Sequence, residues 1–187
     1  LDANTFIVYT TSHGDAACSH NVVDKHYVMY EEEVHVPLVM KIPGVSHRIV
    51  DRFVNNQLDM AATFCDMYQL DYKTQGESLL PLIEEKKEAS DWREYAFSNY
   101  NGQQFGLFVQ RMIRDKRRKY VWNLTDTDEL YDLESDPWEL NNLVYSKEYK
   151  AELVRLRKAL YEDLKQRKDP LIWQNAAKRQ LIDNKKL

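Results

Sequence analysis

The chain has 187 residues, 43% hydrophobic and 30% charged, a composition that fits a globular protein and excludes a disordered one. Its net charge of -4 hides an asymmetry: from Ser146 onward there are 12 Lys+Arg against 6 Asp+Glu, and the rest of the chain holds 14 against 24. An acidic body with a basic tail reads as solvated surface plus one amphipathic helix and does not call for nucleic acid, and no apolar run nears the ~18 residues of a membrane span.

The first predicted element is a buried strand at Phe6 to Tyr9, which stops abruptly at Ser12-His13-Gly14-Asp15. Residues at the carboxyl end of a strand in an α/β sheet are well placed for chemistry, although Ser, Gly and Asp are also ordinary turn formers. A polar loop from Asp15 to Met29 follows. The stretch "EEVHVPLVMKIPG" then reads as a strand carrying Val34, Val36, Leu38, Val39, Met40 and Ile42, closed by Pro43-Gly44. A further short strand is expected at Ile49 to Val54. "QLDMAATFCDMYQL" reads as a helix burying Leu58, Ala61, Ala62, Cys65 and Tyr68, with Asn56 or Asp59 as cap. "GESLLPLI" reads as a loop with an apolar plug. The charged stretch Glu84 to Glu94 marks the boundary between predicted regions at 1–90 and 91–187.

Beyond it, "YAFSNYN", "GLFVQRMIRD", "KYVWNL" and "ELYDL" are four short strands bounded by turn residues, an antiparallel meander. The basic residues of its central hairpin, Arg111 to Lys119, read as a charged turn with Tyr120 and Trp122 packing inward, not as a nucleic-acid surface. Leu153, Leu156, Leu160 and Leu164 form one helical stripe, with Ser146 as the expected N-cap and Pro170 as the stop. Trp173, Ala176, Ala177 and Gln180 allow a last short helix. Cys18 and Cys65 are too few for a disulfide framework. The chain shows no signal-peptide pattern, which leaves its compartment open, and its opening within a few residues of a strong strand leads us to expect a fragment.

Several of these stretches, in this order, resemble the second half of the catalytic domain of sulfatases, the arylsulfatase branch of the alkaline-phosphatase superfamily. They are Tyr9 to Asp15, "CSHNVVDKHYVMYEEEVHVPLVMKIPG", "LDMAATFCDM", "GESLLPLI", "RMIRDKRRKYVWN" and "ELYDLESDPWELNNL". The resemblance implies an α/β fold: part of a mixed sheet, followed by a small four-stranded antiparallel sheet packed with a C-terminal helix. It also implies formylglycine- and metal-dependent hydrolysis of a sulfate ester on a small molecule or glycan. In that family the strand end places Asp followed by Asn or His on a divalent cation, calcium by resemblance. His13 falls at the second of these positions, and Ser12 stands where the first should be Asp. Lys25 falls where the family has a lysine that contacts the sulfate group, and His20 at a position that can face the site. Asn101 and Gln103, in the polar stretch Ser98 to Gly106, are the candidates for a substrate rim.

The resemblance has gaps. Neither Cys18 nor Cys65 opens a C/S-x-P/A-x-R motif for formylglycine, and the chain contains no adjacent pair of aspartates for the remaining metal ligands. This chain alone is therefore expected to be inactive. Two alternatives stay open: a phosphodiester or phosphonate monoester hydrolase of the same superfamily, and a non-catalytic binding or assembly module. A partial sheet also predicts that self-association, or a missing amino-terminal half, covers Phe6 to Tyr9 and Val34 to Met40.

Overall fold

The computed structural model describes residues 2–25, 27–84, 91–102 and 108–186. The chain divides into two compact units. The first holds residues 1–25 and 31–96, and the second holds 26–30 and 97–187. Among the described residues no helix is long and apolar enough to cross a membrane.

In the first unit, strand β1 (Ile7–Thr10) pairs antiparallel with β2 (Leu38–Lys41), placing Tyr9 opposite Val39 and Val8 opposite Met40. Side chains alternate across a strand, so the two faces differ. Val8, Leu38 and Met40 pack against the buried core of Met60, Leu79, Leu82 and Trp92. Ile7, Tyr9 and Val39 lie on the other face and are 50%, 66% and 61% exposed. The first strand is thus not buried, as its apolar run predicts, because only one face meets a core within this unit.

Between these strands the chain makes one helical turn, α1 (Glu31–Val34), where a longer strand is expected. Pro37 lacks the N–H a ladder needs, so pairing begins only at Leu38. The expected strand at Ile49 to Val54 is absent, and Ile49 is almost fully exposed. Helix α2 (Asn56–Met67) buries Asp59, Met60, Ala62 and Thr63. The expected face is therefore rotated: Leu58, Ala61 and Tyr68 are exposed. The cause is a buried carboxylate. Asp59 accepts from Arg93 Nη1 and Nη2 at 2.7 and 3.0 Å, from the Asn55 amide at 2.7 Å and from the Glu77 amide at 2.9 Å. The bond to Asn55 also caps the helix start, which answers for Asn55 making no side-chain cap. The plug after it is a helical turn, α3 (Leu80–Ile83), with Leu79 and Leu82 in the core.

The second unit contains the expected meander, β3 (Ala96–Asn101), β4 (Val109–Arg114), β5 (Arg118–Asn123) and β6 (Glu129–Asp132), in the order β3-β4-β5-β6. Helix α4 (Lys150–Gln166) buries Leu153, Leu156, Leu160 and Leu164, the stripe read from the sequence. It starts after Tyr149, with no side-chain cap, so Ser146 is not its N-cap. Pro170 begins the next turn, α5 (Pro170–Trp173), where Asp169 accepts from the Leu171 amide at 2.9 Å. A π-helical turn at Lys178–Ile182 ends the described elements.

Every residue of β5 is buried, so this antiparallel sheet is covered on both faces. On one face Tyr120 hydrogen-bonds Asp128 at 2.7 Å beside Arg157 of α4, and Trp122 donates to Gln180 at 2.8 Å. Burial, and then the Asp128 carboxylate, push the Tyr120 hydroxyl well above the usual phenol range. The hairpin's cations are not a solvated turn throughout. Arg111 pairs with the half-buried Asp169 at 2.8 Å, and Arg118 with Asp132 and Lys119 with Glu139 are buried pairs.

Candidate functional site

The site candidates of the first unit lie on the chain that leaves β1. Thr11 and Ser12 are held by the start of α2: Asn56 Nδ2 donates to the Thr11 carbonyl at 2.9 Å and Gln57 Nε2 to the Ser12 carbonyl at 3.1 Å. Gly14 then passes directly against α1, its amide donating to the Glu33 carbonyl at 2.8 Å. A Cβ at Gly14 would sit 1.7 Å from the Glu32 carbonyl oxygen, so only glycine permits this approach. Asp15 turns the chain by accepting from the Ala17 amide at 2.7 Å.

His13 is exposed, and its ring is fixed from both sides. Nδ1 lies 2.7 Å from the Gly14 carbonyl oxygen, and Nε2 lies 3.1 Å from Lys25 Nζ. A carbonyl only accepts, so Nδ1 carries the proton and Nε2 presents its lone pair to the lysine ammonium. Two residues twelve positions apart are thereby brought to one point. The connecting loop needs unusual backbone to do so, with φ of 47° at Ala17, 73° at Cys18, 51° at His20, 58° at Asn21 and 69° at Asp24. It is tied down where the Ser19 hydroxyl donates to Glu32 at 2.6 Å. Such conformations cost free energy and persist only when their surroundings impose them.

The other candidates are placed differently. Ser12 is exposed beside His13, and His20 is half-buried in the turn Ser19–Asn21. Asn101 is exposed at the end of β3 in the second unit, and Gln103 lies outside the described residues. Among the described residues, no group of three or more His, Cys, Asp and Glu comes together to hold a metal ion. A hydroxyl and one imidazole fall short of the about six to eight oxygen ligands calcium takes. This chain's described residues do not fit a metal by themselves, and no chemical step is assigned to one. The arrangement offers an exposed ammonium beside an imidazole whose free nitrogen presents a lone pair, so the group suited to an oxyanion is the Lys25 ammonium.

Sequence reasoning missed the two side chains from α2, Asn56 and Gln57, that fix the Thr11 and Ser12 carbonyls. Asn56 was legible only as a helix cap, because its partner lies 45 residues away.

The mixed α/β structure with its four-stranded antiparallel sheet is that of the carboxy-terminal region of alkaline-phosphatase-like sulfatases. The family model described as N-sulphoglucosamine sulphohydrolase, C-terminal, matches residues 18–168, and the chain belongs to that family. It is 33% identical over 174 residues to an N-acetylglucosamine-6-O-sulfatase of Bacteroides thetaiotaomicron, covering 89% of this chain and 31% of that protein. It is 32% identical over 174 residues to an arylsulfatase of Clostridium perfringens, covering 89% and 35%. The solved structure of a 2-O GAG sulfatase superposes with a TM-score of 0.78 at 30% identity, covering 89% of this chain and 37% of that one. A phosphonate monoester hydrolase of Agrobacterium radiobacter gives 0.70 at 28% identity, covering 84% and 36%. The chain thus spans about a third of the length of these two curated relatives.

Proposed function

We propose that this chain supplies the carboxy-terminal share of a sulfuric-ester hydrolase, with Lys25 as its contact to the sulfate group and His13 as its ligand to a divalent metal. The observation that carries this reading is the 3.1 Å approach of Lys25 Nζ to His13 Nε2 at the strand end. A lysine ammonium is a compact point charge that stabilises oxygens on which negative charge develops as the ester bond breaks. The neutral Nε2 is a ligand atom, and Gly14 keeps it in that tautomer. The nucleophile, a formylglycine hydrate by resemblance, and most ligands of a divalent metal, calcium by resemblance, come from outside the residues of this chain. This chain alone is inactive in this reading. The substrate is a sulfate ester on a small molecule or glycan, in keeping with the sugar sulfatases among its relatives. The remaining polypeptide, or a second copy, covers Ile7, Tyr9 and Val39.

A phosphonate monoester or phosphodiester hydrolase is the second reading, favoured by the likeness to the Agrobacterium enzyme. A non-catalytic binding or assembly module is favoured by Ser12, a neutral residue where the family has a carboxylate. Native mass spectrometry followed by assays with matched sulfate and phosphate monoesters tests all three. A mass above 22.2 kDa that includes a different polypeptide, together with sulfate-ester turnover, is the expected result. Phosphate-ester preference selects the second reading. Turnover of neither ester, with that second polypeptide present, overturns the hydrolase reading in favour of a module.

A further inference from the structure

The peptide planes on either side of His13 are both held by hydrogen bonds. Gln57 Nε2, in the first turn of α2, donates to the Ser12 carbonyl at 3.1 Å, and that carbonyl belongs to the plane ending at the His13 Cα. The next plane, from His13 to Gly14, is held twice. The Gly14 amide donates to the Glu33 carbonyl at 2.8 Å, and the Thr11 hydroxyl donates to the His13 carbonyl at 3.0 Å. One plane earlier, Asn56 Nδ2 donates to the Thr11 carbonyl at 2.9 Å. A planar peptide leaves φ and ψ as the soft backbone angles, so fixing both neighbouring planes sets the direction of the His13 Cα–Cβ bond. From that bond the ring places Nδ1 against the Gly14 carbonyl and Nε2 against Lys25 Nζ.

The turn that supplies these donors is itself anchored in the core of the same unit. The Asn55 amide donates to Asp59, which has no exposed surface and also takes both guanidinium bonds from Arg93. Stability is a weak reason for Gln57 here. Its side chain is exposed, and the gain from such a bond is largely offset by the entropy lost in ordering a glutamine. Resting on the functional reading above, in which Lys25 contacts the sulfate group, we infer that Asn56 and Gln57 are positioning residues. They set the direction of His13, and through its Nε2 they hold the Lys25 ammonium ready for an oxyanion. An ammonium already in place binds without the cost of ordering its own flexible stem.

The test uses the full chain with Gln57→Met, which keeps the side-chain length and removes the donor, alone and together with Asn56→Ala. Ala62→Gly, in the middle of α2, is the control, because it weakens the helix and takes away no side-chain donor. Three quantities are measured at about pH 8, where an ordinary imidazole is neutral. They are the melting temperature, the ring ¹⁵N resonances of His13, and the affinity for inorganic sulfate read from the Lys25 side-chain signals. Gln57→Met is expected to melt within about 3 °C of wild type. Its His13 ring nitrogens move toward one another as the second tautomer gains population. Its sulfate affinity falls about fivefold, and further in the double variant. Ala62→Gly lowers the melting temperature and leaves the resonances and the affinity unchanged. Wild-type resonances and affinity in Gln57→Met and in the double variant overturn the inference, as does an Ala62→Gly chain that reproduces their changes. If wild-type protein shows no sulfate response at Lys25, the functional reading fails, and the ring nitrogens alone decide the positioning: displaced in Gln57→Met they uphold it, and unmoved they overturn it.

Discussion

Replacing Asp59 by alanine should come close to unfolding the first unit. Asp59 has no exposed surface and accepts four hydrogen bonds, two from Arg93 and one each from the amides of Asn55 and Glu77. Its removal strands a guanidinium that is only 17% exposed and two backbone donors. Breaking a buried pair by deleting one partner costs about 3–5 kcal/mol. That is a large share of the about 5–15 kcal/mol that holds an ordinary domain together. Glu77 cannot take over. It lies 3.3 Å from Arg93 with 44% of its side chain exposed, and Glu77→Gln should cost less than about 1 kcal/mol. The double variant Asp59→Leu with Arg93→Met leaves no uncompensated charge and should be close to wild type. Native-state hydrogen exchange at the α2 amides reads the first unit by itself. The reasoning is refuted if Asp59→Ala costs less than the double variant, or no more than Glu77→Gln.

Leu160→Ala should destabilise the second unit by about 2–5 kcal/mol, because a fully buried side chain leaves a cavity; urea unfolding of the two chains measures it. Asp115 supplies a pH-dependent increment. Burial raises its pKa, but hydrogen bonds from Arg155 and from the amides of Arg118 and Arg117 outweigh this and leave it below the ordinary 3.8. A carboxyl depressed in the folded state stabilises above its unfolded value, and the increment is lost as pH falls through the folded one. Unfolding free energies of wild type and Asp115→Asn should therefore differ near neutrality, by less than about 1 kcal/mol given the exposed arginine, and converge as the pH falls below the ordinary carboxylate range. On the exposed face of β1 and β2, Tyr9→Lys with Val39→Lys should reduce self-association in sedimentation without lowering stability. Wild-type protein that stays at the mass of one chain while this face is uncovered would count against the covering proposed for it.

The elements that could be read from the sequence are those whose periodicity is set by burial alone. The stripe Leu153, Leu156, Leu160 and Leu164 faces the core because every third or fourth residue is apolar and those between are mostly charged. The four strands beyond Ala96 are bounded by turn residues at each end. Where burial is polar, the pattern misleads. Helix α2 turns Asp59 and Thr63 inward, and neither registers on an apolar count, so the face read from Leu58 and Tyr68 is the wrong one. Arg111, Arg118 and Lys119 read as a charged turn because their partners, Asp169, Asp132 and Glu139, are 14 to 58 residues away. At the candidate site, resemblance picked out His13 and Lys25 separately. Their approach depends on a run of left-handed backbone through Ala17, Cys18, His20, Asn21 and Asp24, none of them glycine, and no local propensity announces that.

The central claim is that Lys25, held beside His13, receives a sulfate oxyanion. Its most direct test is an NMR titration of the full chain with inorganic sulfate, following the Lys25 Hε and His13 Hε1 signals in wild type and in Lys25→Met. The account predicts saturable shifts at both residues in wild type, and their loss in Lys25→Met with the rest of the spectrum unchanged. Signals at His13 and Lys25 that do not move with sulfate, or that move equally in Lys25→Met, contradict it.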